Sequence, residues 1–150
     1  MPSSLWLLAP IILAVGVGAA TQGVVNTALS RSTGAVAASF VSVAGTFLLM
    51  LIPLALGLGG SRAGIANALH GPPYLWIGGV FGAAVVVSAI LVLPKVGVTS
   101  YMAFLVAGLL IGSLVLDHAG ALGLQKYPVT PVRAAGAVLL LVGARLIAWR

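Results

Sequence analysis

Long apolar runs, broken only by short clusters of Gly, Pro and Ser and by single charges, make up almost the whole chain. Five of them approach or exceed the roughly 20 residues that a helix needs to cross a bilayer. The first covers about 5–29 and ends at "SRSTG"; the second covers 35–58 and ends at "GGSRAG". The third, about 73–94, follows "HGPPYLW" and runs into "LPKVG", with Pro72 and Pro73 suited to a helix start. The fourth covers 98–116 and stops at "DHAG"; the fifth, about 130–149, follows "QKYPVT" and closes at "LIAW". Residues 59–72, with Arg62, Asn67 and His70, leave room for a short interfacial helix. The opening "MPSSLWLLAP" has no positive region ahead of its apolar run, so the first segment is expected to be a retained span. The pattern predicts an all-α integral membrane protein of five transmembrane helices, a single transmembrane domain over 1–150.

Composition sharpens this by exclusion. Of 150 residues 61% are hydrophobic, and Lys and Arg number seven against a single acid. The mean hydropathy is +1.25. Too few charges exist to coat a soluble domain of this size, and no room is left for a catalytic domain outside the membrane. A net charge of +6 would suggest nucleic acid in a soluble protein, but these cations occur singly at the ends of spans, where they read as interfacial anchors. No nucleic-acid partner is expected; the lipid bilayer is. With no cysteine in the chain, a disulfide framework and a thiolate metal site are both excluded.

Five spans would place the termini on opposite sides of the membrane. One face then carries Arg62, Lys126 and Arg133, and the other Arg31, Lys95, Arg145 and Arg150. Orientation follows the Lys/Arg bias, and here it is one charge. Such a chain is compatible with insertion both ways up, or with a fixed orientation set by one strategic charge.

The polar residues inside the runs are few. Gln22 and Asn26 are four apart, so they share a helix face with Gly18 and Val15. An unpartnered amide in hydrocarbon costs several kcal/mol, so this face must meet another helix, a wet cavity or a ligand. The second span has a small-residue face of Ala35, Ala38, Ser42 and Gly45; Gly78 with Gly82 and Gly108 with Gly112 form two GxxxG pairs. Faces of that kind let helix backbones approach closely. Asp117 is the lone acid and the sole candidate for proton coupling, although a carboxylate at a helix end can instead be solvated or pair with Lys126 or Arg133. Trp76 and Tyr101 suit either an aromatic belt or the wall of a binding cavity. Arg145 is expected to snorkel to the interface beside Trp149. Two histidines, His70 and His118, and one Asp without motif spacing make no metal site. No cofactor site and no set of residues for an enzyme can be assembled.

The ordered set "TQGVVNTALSRSTGAVAASFVSVAGT", "PPYLWIGGVFGAAVVVSAILVLPKVG", "GLLIGSLVLDHAG" and the Pro-Val-Arg-Ala-Ala-Gly start of the last span resembles the small five-helix YdcZ-like branch of the drug/metabolite transporter superfamily. The resemblance covers nearly the whole chain. It implies half of a ten-helix inverted-repeat transporter, with a midplane cavity between halves and alternating access. In one place the chain departs from the pattern: Gly108-Leu109 stands where Gly-Gln is expected, which removes a family amide.

Taken together, these readings predict a transporter of a small molecule, a metabolite or drug-like compound, acting as an antiparallel dual-topology homodimer or with a paralogous five-helix chain. Gln22, Asn26, Ser42, Trp76 and Tyr101 are the expected substrate-binding residues, and Asp117 the coupling residue. A dual-topology ion channel and a non-transporting helper subunit of a larger membrane complex are the alternatives. The expected location is the inner (plasma) membrane, crossed several times.

Overall fold

The computed structural model describes residues 4–58, 61–123 and 125–149. Arg150, counted above among the charges of one face, lies outside them. All regular structure among the described residues is helical. Valine and isoleucine are frequent in these segments and would favour strands in water. Hydrocarbon reverses that preference, because only a helix satisfies every backbone N–H and C=O within its own segment.

Helix α1 spans Ser4–Thr33, α2 Ala35–Ala55 and the short α3 Ser61–Leu69. A 3-10 turn, Pro73–Trp76, leads into α4, Ile77–Val96. Helix α5 covers Val98–Ala119, a second 3-10 turn Ala121–Gly123, and α6 covers Pro131–Ile147. Four segments are long and apolar enough to cross a membrane: Leu8–Thr33, Ala35–Ala55, Ile77–Val96 and Val98–Ala119. The last helix has 17 residues, about 25 Å at 1.5 Å per residue, which is at the lower edge of what a span requires. Helix α3 occupies the stretch where the sequence left room for a short helix.

The ends of these helices follow from electrostatics and turn chemistry. No helix has an acid in its first turn, while Arg31, Lys95, His118 and Arg145 stand in the last turns of α1, α4, α5 and α6. At α1, α4 and α6 a Lys or Arg cation there meets the negative end of the helix dipole. Two joints are a single residue long. Gly34, between α1 and α2, has φ 80 and ψ 160; Gly97, between α4 and α5, has φ 85 and ψ 157. That region of backbone space is essentially restricted to glycine, so each helix stops and the next begins within one residue.

The chain divides into two compact units, Met1–Pro94 and Lys95–Arg150. In the first, α1 packs against α2; in the second, α5 packs against α6. Small residues dominate what is buried. Gly23, Ala38 and Ser39 are covered in the first hairpin, and Ser100, Ala107, Ala137 and Ala144 in the second, with Tyr101 the one large side chain among them. Helix α4 buries Ala89, Ile90 and Leu93. Large apolar side chains face outward instead, Phe40 at 73% exposure among them. This is the arrangement expected where lipid is as apolar as leucine and association rests on close backbone approach. A methyl group added at Gly45, Gly78, Gly82, Gly108 or Gly112 would meet no atom within 4 Å. Within each unit the close-approach faces are therefore open at these glycines, while the α2 face is covered at Ala38.

Candidate transport site

In the first hairpin the polar residues converge across the helix contact. Asn26 and Ser42 each lie eight positions from Gly34, so folding the chain at that glycine sets them opposite one another. Asn26 Nδ2 donates to Ser42 Oγ at 2.9 Å, and Asn26 is only 6% exposed. Most other hydroxyls of the two helices are satisfied within their own helix. Thr21 donates to the Val17 carbonyl at 3.0 Å, Ser39 to Ala35 at 2.8 Å and Thr46 to Ser42 at 3.1 Å. Bonding back to the preceding turn is the usual way for Ser and Thr to be accommodated in a membrane helix. Asn26 reaches across to the neighbouring helix instead.

That single bond uses one donor of an amide that has two donors and an acceptor. Asn26 Oδ1, its second N–H and the Ser42 O–H remain available. Beside them, the Thr27 hydroxyl is buried and has no hydrogen-bond partner. Gln22, one turn from Asn26, is exposed, and no hydrogen bond holds its amide among the described residues. Given the 30 residues of α1, Gln22 stands about 5 Å and Asn26 about 11 Å from the helix midpoint. Both depths fall within the hydrocarbon of a typical bilayer, about 15 Å to either side of the midplane.

The remaining expected site residues are placed differently. Trp76 ends the 3-10 turn before α4 and is exposed. Tyr101 lies in the first turn of α5 and is buried. The second unit also holds a cavity of about 420 Å³ between α5 and α6, lined by Thr99, Met102, Val106, Leu139, Gly143 and their neighbours. Thr99 is its only polar residue. At the same end of α6 the Arg145 guanidinium sits 4.6 Å above the Trp149 ring, so the cation stacks on an aromatic belt residue.

Asp117 stands at the other end of this unit, near the C-terminus of α5. Its carboxylate pairs with the Arg133 guanidinium, from the first turn of α6. The pairing with Arg133, foreseen as one of two partners, leaves both side chains 35% exposed. Arg133 also donates to the Tyr127 carbonyl at 3.0 Å and the Pro128 carbonyl at 3.3 Å. The Asp117 carbonyl accepts from Tyr127 N–H at 2.9 Å, and His118 Nδ1 accepts from Val129 N–H at 3.2 Å. Thr130 caps α6 by accepting from the Arg133 N–H at 3.3 Å. The connection between α5 and α6 is thereby tied to both helices.

Sequence reasoning named Asn26 and Ser42 without joining them. The signal was present in their equal spacing from Gly34. The orphaned Thr27 hydroxyl had no such signal, since most membrane threonines bond to their own helix.

The model of one family matches residues 7–146: DMT_YdcZ, described as "Putative inner membrane exporter, YdcZ". The chain belongs to the DMT_YdcZ family. No curated protein and no solved structure matches it. Membership makes it a multi-pass protein of the inner membrane, in agreement with its apolar helices. The description of DMT_YdcZ as an exporter family points away from an enzyme.

Proposed function

We propose that this chain is half of a small-molecule transporter: five spans, α6 being the fifth, paired with a second, inverted copy of itself and working by alternating access. The observation that carries this reading is the unequal state of two amides on one helix. Asn26 is satisfied across the α1–α2 contact, whereas Gln22 is exposed at greater depth. Hydrocarbon does not tolerate such a group, so a second chain, water or cargo has to meet it. Uncovered glycines on α2, α4 and α5 supply faces for a second copy, and the four-to-three split of Lys and Arg between the two membrane faces supports opposite orientations. Asn26, Ser42 and Gln22 line the cargo path in this reading, with Trp76 and Tyr101 as its aromatic walls. Asp117, the one acid, is the candidate for a proton-coupled step, by breaking its pair with Arg133.

The absence of native cysteine makes the arrangement directly testable. Ser32→Cys and Gln125→Cys, placed singly near opposite ends, should each label from both sides of the membrane with an impermeant thiol reagent. Labelling of each from one side only contradicts the dual-topology dimer. In reconstituted vesicles the transporter should show counterflow, the accelerated exchange of labelled for unlabelled cargo. Sustained electrical flux without counterflow would mark a channel, and no flux at all a helper subunit.

A further inference from the structure

We infer that the cargo is an uncharged, hydrogen-bonding molecule, recognised by amides and hydroxyls and not by charge; the inference rests on the transporter reading above. Its first support is the donor and acceptor set of the hairpin. After the Asn26–Ser42 bond is made, the groups left over are the Asn26 Oδ1 acceptor, its second N–H, the Ser42 O–H and the whole Gln22 amide. Donors and acceptors are both present and none carries a formal charge. The orphaned hydroxyl of Thr27, adjacent to Asn26 in sequence, adds to the same chemistry. A buried polar group without a partner is costly, and a cargo amide or hydroxyl supplies the missing bond in the conformation that opens the hairpin to the path.

The second support is the fate of the charges. An organic cation in a low-dielectric site requires a carboxylate or an aromatic enclosure to replace its hydration. The chain has one acid, and Arg133 occupies it. Trp149 carries the Arg145 guanidinium, and the aromatic walls Trp76 and Tyr101 have no free carboxylate to complete a cation site. A net charge of +6, doubled in a homodimer, repels cations from the mouths of the path. An anion is drawn to those mouths but meets no cation on the α1–α2 polar face, since Arg31 lies in the last turn of α1. An uncharged molecule escapes both penalties. The site discriminates by matching hydrogen bonds, which rejects analogues that lack them far more strongly than apolar contacts do.

The test is thermal stability of the purified full chain in detergent with three sets of probes: nicotinamide and uridine as uncharged amide-bearing solutes, tetraphenylphosphonium as a permanent cation, and benzoate as an anion. A ligand of the folded state present at about a hundred times its Kd should raise the apparent Tm by roughly 5 °C or more. The expected result is a rise with an uncharged probe that is lost in Asn26→Leu, with no rise from the other two sets. Thr27→Val, which keeps the shape and removes only the hydroxyl, should weaken the same response about tenfold in probe concentration. A rise with tetraphenylphosphonium or benzoate alone overturns the uncharged class and leaves the transporter reading standing. No rise in any set, together with no flux in vesicles, overturns both.

Discussion

The two helical hairpins solve the same problem with opposite chemistry. The α1–α2 pair is pinned by a neutral amide-to-hydroxyl bond well inside the span, Asn26 to Ser42. The α5–α6 pair is pinned at its end by a charged one, Asp117 to Arg133, reinforced by the loop between them. Distance from the helix end explains the difference: Asn26 stands seven residues before the end of α1 and Asp117 two before the end of α5. A charge near the bilayer centre is expensive, so the carboxylate stands where water and headgroups still reach it, while an amide can be carried deeper if it finds a partner. The second hairpin spends the polar groups at that end, Asp117, His118, Thr130 and Arg133, on holding its own loop. The first keeps several unspent, and those are the groups available to something that moves through the membrane.

Substitutions should separate the two hairpins by size of effect. The largest is expected at the pivot of the first: Gly34→Val forces a side chain onto a backbone that glycine alone adopts and should cost about 1–3 kcal/mol of folding stability. A Tm unchanged from the wild type would show that the one-residue joint is not needed. Next comes Asn26→Leu, which removes the cross-helix bond; a loss of about 0.6–2 kcal/mol is expected, read from unfolding in detergent. Thr27→Val acts in the opposite direction. Deleting an unpartnered buried hydroxyl should raise stability by about 1 kcal/mol, and a loss instead would mean that Thr27 has a partner in the assembled protein. The smallest effect belongs to Asp117→Asn. A pair this exposed is worth less than about 1 kcal/mol, and its contribution should shrink further in high salt; a drop of several kcal/mol would show that the pair is buried in the assembly.

Periodicity had little to say about the fold, yet the fold class was plain, because long apolar runs between isolated charges are decisive in themselves. The pairing of the helices was far less legible. Small residues along α2, α4 and α5 marked close-approach faces, but only part of the α2 face, at Ala38, Ser39 and Ser42, is occupied by a neighbour; Gly45, Gly78, Gly82, Gly108 and Gly112 are not. A sequence records that a face is fit for contact and not which helix, or which copy, fills it. The joints at Gly34 and Gly97 fall where the sequence placed its span boundaries, before 35 and before 98, but their one-residue length was not legible: glycine is common in membrane helices, and nothing local shows that the flanking helices run up to it. At the site, Asn26 and Gln22 stood out equally by composition and spacing. Their different burial depends on the hairpin register that Gly34 sets. For Asp117 the sequence left open solvation or a pair with Lys126 or Arg133, and the start of α6 at Pro131 selects Arg133 by placing it in the first turn, beside the end of α5.

The central claim is that the neutral polar face of α1–α2 handles cargo. Counterflow exchange in vesicles reconstituted with Asn26→Leu tests it most directly, using protein first shown by its thermal unfolding to be folded. The account predicts a loss of exchange of at least about tenfold, equivalent to some 1.4 kcal/mol of lost recognition, out of proportion to any change in folded fraction. Exchange at the wild-type rate by that folded variant would contradict it.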